Sequence, residues 1–245
     1  MSTRLGKIVR AANWKYAAGE LILIVAGILI ALGLDSWHDL RVEHREEVAA
    51  LREVQSKLAE DLRTLTAQLD TLRGREERIA SLERHLANGG TYADTLDSYF
   101  GAVIRFHVTV LNRSAYEGLK SRGLSLISNE VLRAGLTELY DQKYLEFDNS
   151  AQDDRDVTLE VVRPYFLREF KDVRFGVTAT PRDAVVVMKD PIFLNIVAYR
   201  LQSLRVNAIQ THEAISKDVD ALLQALNHEL NERDAPADLR VASPR

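Results

Sequence analysis

The sequence has no cysteine, so neither a disulfide nor a thiolate nucleophile or metal ligand can belong to this chain. It also lacks the motifs of common catalytic sites: Gly-x-Ser-x-Gly, the phosphate-binding P-loop, the dinucleotide fingerprint and His-Glu-x-x-His. The six histidines never fall four residues apart, so no helical metal pair is predicted. We therefore predict no catalytic residue, no cofactor and no metal, and we predict that the protein is not an enzyme.

Charge of one sign is not in large excess. The formal net charge is −4, and the acidic excess grows when the basic N-terminal segment is set aside. Nucleic-acid partners usually require a basic surface, so the composition argues against nucleic acid.

Tryptophan is scarce, and its two copies flank the most apolar stretch of the chain. Trp14 and Trp37 are 23 residues apart on either side of an uncharged run at residues 21–34. On a helix this separation is roughly 34 Å, close to the ~30 Å hydrocarbon core of a bilayer. We predict a transmembrane helix at residues 14–37 with the lipid bilayer as a partner. Trp14, Tyr16 and Trp37 are its expected membrane-interface anchors.

Glu20 is a carboxylate at the edge of this apolar run. One interpretation is that it sits near the headgroups and reaches towards water. The other is that Glu20, Gly27 and Ala31 form a membrane-helix interface, since all three share one helix face and Gly27-x-x-x-Ala31 allows close helix approach. The second interpretation predicts a homo-oligomer or a membrane-protein partner.

The charges around the apolar run predict its orientation. Four basic and no acidic residues precede Glu20, whereas acidic residues dominate just after the run. The positive-inside rule places residues 1–13 in the cytoplasm and the larger domain outside, in the periplasm or an equivalent extracytoplasmic space. No small-x-small cleavage site follows the run, so an uncleaved signal anchor is favoured over a cleaved signal peptide.

The same residues resemble a known family. Residues 16–37 read Y-A-A-G-E-L-I-L-I-V-A-G-I-L-I-A-L-G-L-D-S-W. They are similar to the start of a family of uncharacterised bacterial single-pass membrane proteins, whose members read Y-A-x-G-E-I-x-L-V-V-x-G-I-L-I-A-L-x-x-N-x-W. Residues 115–133 approximate a second block of that family, Y-x-x-L-x-S-x-G-x-L-x-L-I-x-N-x-x-L-R. The resemblance implies a single-pass protein of the bacterial inner membrane, and it implies no activity.

Beyond the anchor, apolar residues recur every three or four positions, so the predicted fold is all-α: an N-terminal transmembrane helix followed by an antiparallel long-helix bundle at residues 38–233. The first amphipathic helix is expected to be interrupted at Gly74 and to end at residues 88–90. An intramolecular bundle is favoured over an intermolecular coiled coil for its apolar seam. The tail at residues 234–245 is predicted to be disordered.

Several local patterns refine this prediction. Thr91 with Asp94 is expected to cap a second helix that continues towards Val110, and Ser128 or Asn129 to cap a later one. Residues 175–188 are predicted as a short helix, and Asp190 opens the last long helix. Residues 153–156 are interpreted as a solvated acidic face. Six aromatic residues are predicted to lie in the buried core, and the alternative is that they line a ligand pocket. They are Tyr116, Tyr140, Tyr144, Phe147, Tyr165 and Phe166.

Two functions are compatible with these patterns. The favoured one is a membrane-anchored helical-bundle scaffold or accessory subunit that acts through protein–protein contacts. The alternative is an extracytoplasmic ligand-sensing module that signals through a partner, since its layout resembles the sensory modules of chemoreceptors.

Overall fold

The computed structural model describes residues 14–234, apart from the side chains of residues 14–19, 35 and 234. The predicted cytoplasmic segment at 1–13 and most of the predicted tail at 234–245 therefore lie outside the described residues. The chain divides into two compact units, Met1–Ala49 and Ala50–Arg245. Each unit is described by itself below.

Helix α1, Trp14–Ala87, begins in the first unit and extends into the second. The part of α1 near the N-terminus is long and apolar enough to cross a membrane. None of its most apolar stretch is buried within the chain. The predicted interruption at Gly74 is wrong, because the helix continues through it. The predicted end at residues 88–90 is confirmed: Gly89 has φ +69° and terminates the helix, a backbone conformation that glycine adopts readily.

The second unit is mainly helical. Its further α-helices are α2 (Asp97–Ile104), α3 (Ser114–Arg122), α4 (Glu130–Glu138), α5 (Tyr144–Val157), α6 (Arg163–Glu169), α7 (Ala184–Val187), α8 (Pro191–Ser203) and α9 (Gln210–Asp234). Short 3₁₀ turns occupy Asp94–Leu96 and Leu124–Leu126. An all-α class fits this composition, and the antiparallel arrangement of the bundle stays a prediction.

Three π turns widen the long helices. They lie at Leu139–Lys143, Thr158–Val162 and Leu204–Ile209, and they join α4 to α5, α5 to α6 and α8 to α9 without a break. Pro164 follows the second π turn in the first turn of α6, where its missing N–H costs little. Such turns often lie close to functional groups, and the buried Asp154, Arg200 and His212 lie within four residues of the second or third turn along the chain.

The apolar seam predicted for the first amphipathic helix forms the buried stripe of α1. Its residues are Leu51, Val54, Leu58, Leu62, Leu65, Leu69, Leu72, Ile79, Leu82 and Leu86. Leu51, Leu58, Leu65 and Leu82 are fully buried within this chain, as an intramolecular bundle requires, and only Leu62 of the predicted seam is partly exposed. The six aromatics predicted as core are also buried. Two of the six, Tyr165 and Phe166, form a cluster of stacked and edge-to-face rings with Phe100, Phe170 and Phe193.

The helix caps are confirmed in part. Asn129 accepts hydrogen bonds from the N–H groups of Val131 and Leu132, and Asp190 accepts one from Ile192, as predicted. The Thr91/Asp94 capping pair is wrong: Ala93 occupies the cap position before Asp94 and makes no side-chain cap.

An antiparallel hairpin corrects the prediction for residues 175–188. Strands β1 (Phe170–Arg174) and β2 (Thr178–Pro181) pair, with Lys171 opposite Thr180. Helix α7 supplies only the last part of the predicted helix, and its cap is Asp183. The turn between the strands contains Gly176 at φ +74°, a signal for a hairpin that competes with the helical one.

Candidate functional site

The membrane residues selected from the sequence are exposed in the described chain. Glu20, Gly27 and Ala31 lie on α1 with open space around them, and a Cβ built on Gly27 would meet nothing within 4 Å. The indole of Trp37 is stacked by the guanidinium of Arg41, whose Cζ lies 3.6 Å from the ring centroid. Trp14 and Tyr16 belong to the same helix, and their side chains are outside the description. The interface role of these residues stays a prediction.

The second unit contains a buried polar network that was not predicted from the sequence. The guanidinium of Arg200 on α8 is fully buried and donates from Nη1 to Oδ1 of Asp154 on α5 at 2.5 Å. It also donates to the backbone carbonyls of Val103 at 3.2 Å and Arg105 at 2.6 Å. The interpretation of residues 153–156 as a solvated face is therefore wrong for Asp154, which is 4% exposed.

These contacts explain why α2 ends at Ile104 rather than near Val110. The last carbonyls of a helix need partners, and here two arginines supply them. Arg200 binds the carbonyls of Val103 and Arg105, while Nε of Arg75 on α1 donates to the carbonyl of Ala102 at 2.9 Å. A cation at a helix C-terminus is also favoured by the helix dipole. The two arginines thus end α2, and an irregular segment begins at residue 105.

Two histidines extend the network from Asp154 to helix α9. Nδ1 of His107 lies 3.1 Å from Oδ2 of Asp154, and the backbone N–H of His107 donates to the same oxygen at 3.3 Å. The rings of His107 and His212 meet edge to face with centroids 5.4 Å apart. Because Nδ1 of His212 donates to the carbonyl of Ala208 at 2.8 Å, its Nε2 accepts from the hydroxyl of Thr109 at 2.9 Å.

Burial and neighbouring charges shift the pKa values of these groups. Burial would raise the pKa of Asp154, but the hydrogen bond from His107 and the charges of Arg200 and Arg75 outweigh it and hold the pKa below its usual range. Burial lowers the pKa of His212 to about 4, with a smaller contribution from His107. Burial, followed by repulsion from Arg200, lowers the pKa of Arg75 to about 9. At neutral pH the network therefore contains charged Asp154 and Arg75 and a neutral His212.

Arg75 is the least satisfied member of the network. Its side chain is buried, and both terminal guanidinium nitrogens, Nη1 and Nη2, have no hydrogen-bond partner among the described residues. A buried cation with unmet donors is unfavourable, and it is tolerated here beside the carboxylate of Asp154.

A cleft of about 280 Å³ lies above the network. Residues 108–111 form one wall, and α5 forms the other through Asp148, Ala151, Gln152 and Arg155. Thr109 belongs both to this wall and to the buried network, since its hydroxyl donates to His212. The network therefore fixes the position of one wall of the cleft.

The chemical capacity of the site is limited. The Thr109–His212 pair has the contact of a nucleophile and its base, but a ring with a pKa of about 4 is a weak base at neutral pH. Within the described residues, no group of three or more His, Asp or Glu side chains could hold a metal ion. The arrangement is suited to holding a surface segment in place.

Comparison with protein-family models, with curated proteins and with solved structures found no match for this chain. The resemblance to a family of single-pass membrane proteins therefore stays a prediction carried by residues 16–37 and 115–133.

Proposed function

We propose that the protein is a membrane-anchored scaffold or accessory subunit that acts through protein–protein contacts. The observation that carries the proposal is the contrast within α1: residues 20–34 expose all their apolar side chains, whereas the part of α1 beyond residue 50 is packed into a folded unit. An apolar helix of this length is stable when lipid surrounds it. The second unit is then held at a membrane surface.

Contact with other proteins is supported by the exposed features of the second unit. Val108, Val110 and Val131 are largely exposed, and the first two lie on an irregular segment beside the cleft. The polar network on the buried side of this segment is hydrogen-bonded within the chain apart from Nη1 and Nη2 of Arg75, so it offers structural support rather than reactive groups. These features favour binding over chemistry.

Native mass spectrometry of the full-length protein, purified gently from its own membranes, tests this proposal. A second protein in stoichiometric amount is expected if the protein is an accessory subunit. A pure homo-oligomer would indicate self-assembly instead. A strict monomer with no partner would contradict both forms of the proposal.

The homo-oligomer form can be tested on one face of the membrane helix. Gly27→Leu places a bulky side chain on the face shared with Glu20 and Ala31, so it is expected to change the size of the complex. Gly33→Leu is the matched control, because residue 33 lies about 120° around the helix from residue 27. Equal effects of both variants, or no effect of either, would contradict an interface on this face. Glu20→Leu then separates an interface hydrogen bond from a carboxylate that only reaches towards water.

We also propose that the N-terminus is cytoplasmic and the second unit extracytoplasmic in a bacterial inner membrane. Since the chain has no cysteine, single cysteines can be introduced without background labelling. In intact cells, Ser125→Cys, at an exposed position of the second unit, is expected to react with a membrane-impermeant maleimide. Ser2→Cys is expected to react only after lysis, and the reverse pattern would overturn the orientation.

Ligand sensing is the second candidate, and the cleft is the observation that favours it. Its walls combine valines with Thr109, Gln152 and two arginines, a mixture typical of small-molecule sites. In a thermal-shift screen of the full chain in nanodiscs, a ligand at 100 times its Kd is expected to stabilise the fold by about 2.7 kcal/mol. Ala151→Trp, which fills the cleft, is expected to abolish the shift. A shift that survives in this variant would place the ligand elsewhere.

A further inference from the structure

The segment that follows α2 has the alternation of a β-strand without a partner strand. His107, Thr109 and Leu111 are buried, whereas Val108 and Val110 between them are 58% and 80% exposed. Alternate residues that point inward and outward are the signature of an extended chain. Arg105, the first residue of this segment, has extended dihedral angles of φ −73° and ψ 137°.

The backbone of this segment has unused hydrogen-bonding groups. Within the described part of the chain, residues 106–112 make no backbone–backbone hydrogen bond. The N–H groups of His107 and Asn112 donate to the carboxylates of Asp154 and Asp61, but those of Val108, Val110 and Leu111 have no such partner among the described residues. An exposed row of unpaired N–H and C=O groups is a template for an added strand.

The segment is also held in place before any partner arrives. His107 is fixed by Asp154 at 3.1 Å and Thr109 by His212 at 2.9 Å, both from the buried side. The carbonyl of Arg105 is fixed by Arg200 at 2.6 Å. A preorganised edge reduces the ordering cost of binding, so these contacts favour association.

The charges beside the edge indicate what kind of strand fits. Two arginines and one aspartate line the cleft, and Arg113 donates to Asp148 at 2.8 Å. Arg155 is exposed and forms no ion pair among the described residues. A carboxylate in the cleft would give this guanidinium a partner, and guanidinium–carboxylate pairs are among the stronger hydrogen-bonded contacts.

A second copy of the same segment is disfavoured in one register. Antiparallel self-pairing centred on Thr109 would place Arg105 of each strand opposite Arg113 of the other. Like charges directly opposite each other destabilise a strand pair. A segment that carries a carboxylate avoids this repulsion and supplies the partner for Arg155, so the edge is suited to a different chain with acidic character.

We propose that an extended, acidic segment of a partner protein adds as a strand along residues 108–111, with a carboxylate bound by Arg155. The inference rests on the proposed function, since it names the kind of partner that the anchored unit binds. The exposed valines would contact alternate side chains of the added strand, and the backbone would supply the hydrogen bonds.

A selection from random peptides tests the proposal and requires no identified partner. Ten-residue peptides displayed on phage are selected on the full-length protein in nanodiscs, after depletion on empty nanodiscs. Enriched peptides are expected to alternate apolar and polar residues and to carry Asp or Glu. On binding, alternate backbone amides within residues 108–111 are expected to exchange with deuterium more slowly, because every second N–H of an edge faces the added strand.

Three variants give the selection its controls. Arg155→Glu is expected to weaken binding of the enriched peptides by about tenfold, because it replaces attraction by repulsion. Val110→Pro removes one N–H of the edge and is expected to weaken binding at least as much. Arg63→Glu reverses the charge of an exposed arginine on α1 and is expected to leave binding unchanged. Thermal unfolding of each variant shows whether its fold is intact.

Three outcomes would overturn the proposal. They are no enriched peptide family, enriched peptides that bind Arg155→Glu as well as the unaltered protein, or binding without protection of the amides at 108–111. If a stoichiometric partner is still recovered from native membranes in such a case, the accessory function stands and only the strand edge is wrong. If neither a partner nor an edge-dependent peptide is found, both proposals fail.

Discussion

Two regions of this molecule break the usual rule of burial in opposite directions. Residues 20–34 of α1 expose their large apolar side chains, from 46% for Val25 to 76% for Leu23. The second unit instead buries a charged pair and a histidine, with Arg200 1%, Asp154 4% and His212 0% exposed. An apolar stretch that is exposed to water is unfavourable, and so is a charge that is removed from water, unless a partner compensates for the cost.

The difference between the regions lies in where the compensation comes from. The buried charges find their partners within the chain: Asp154, His107 and the carbonyls at the end of α2. The exposed apolar stretch has no such partner among the described residues, and lipid is the external partner that we propose for it. Replacing one side chain should therefore affect folding in one region and location in the other.

The largest effect is expected from Arg200→Met. This change removes the cation from a buried pair and leaves the Asp154 carboxylate undercompensated, so it should lower the free energy of unfolding by about 3–5 kcal/mol. Urea unfolding of the full chain, followed by near-ultraviolet circular dichroism, measures the loss. Arg205→Met, which removes an exposed ion pair with Glu76, is the control and should cost about 1 kcal/mol or less. Equal losses in the two variants would mean that the buried Arg200–Asp154 pair contributes no more to the free energy of unfolding than an exposed ion pair does.

Acid should weaken the second unit through His212. The pKa of this ring is about 4 in the folded protein against 6.5 in the unfolded chain, so the unfolded chain binds the proton more readily. The neutral ring therefore contributes to the free energy of unfolding. This contribution is fully present above pH 6.5, and about 3 kcal/mol of it is lost as the pH falls towards 4.

The matching measurement is the free energy of unfolding as a function of pH. His212→Gln should flatten the slope between pH 6.5 and 4, whereas His228→Gln, at an exposed position, should leave it unchanged. An unchanged slope in His212→Gln would assign the acid sensitivity to other groups.

A smaller loss is expected from Tyr144→Phe. The hydroxyl of Tyr144 donates to the buried carboxylate of Asp61 at 2.8 Å. Burial raises the pKa of this carboxyl, although the hydrogen bonds from Asn112 and Tyr144 act to lower it. Loss of a hydrogen bond to a charged group should cost about 1.5–3 kcal/mol. Tyr199→Phe, at a ring that is about half exposed, should change stability by less than about 0.5 kcal/mol. A loss for Tyr144→Phe no larger than this control would contradict the assigned bond.

The smallest effect on folding is expected in the exposed region. Leu29→Ala removes an exposed side chain and should leave the unfolding of the second unit within about 0.5 kcal/mol, while lowering retention in the membrane fraction. Leu58→Ala lies on the same helix but in the core, and it should cost about 2–5 kcal/mol. If Leu29→Ala unfolded the second unit as strongly, the two regions would not differ as described.

The helices could be predicted from the sequence because their signals are local. The apolar period of α1, the glycines after Ala87 and the caps Asn129 and Asp190 each act within a few residues. The hairpin at residues 170–181 was missed because it is stabilised by distant contacts. Gly101 on α2 shows this: a Cβ there would lie 2.4 Å from the backbone of Val177, so the hairpin packs against α2 where only glycine fits.

The candidate site could not be predicted for the same reason. Asp154 is 46 residues from Arg200 and 47 from His107, and no motif links them. Asp153 and Asp156 beside Asp154 made the segment look solvated, although a helix turns each neighbour to a different face. The alternation at residues 107–111 was visible as H-V-T-V-L, but its apolar residues also fit the continuation of α2 that we predicted.

The placement of the aromatic residues gives this protein two separate optical reporters. Both tryptophans belong to the first unit, and seven of the eight tyrosines belong to the second. Tryptophan emission will therefore follow the polarity around the apolar helix, and the tyrosine signal will follow the packing of the helical unit. Insertion into lipid and unfolding can thus be observed independently in one unlabelled sample.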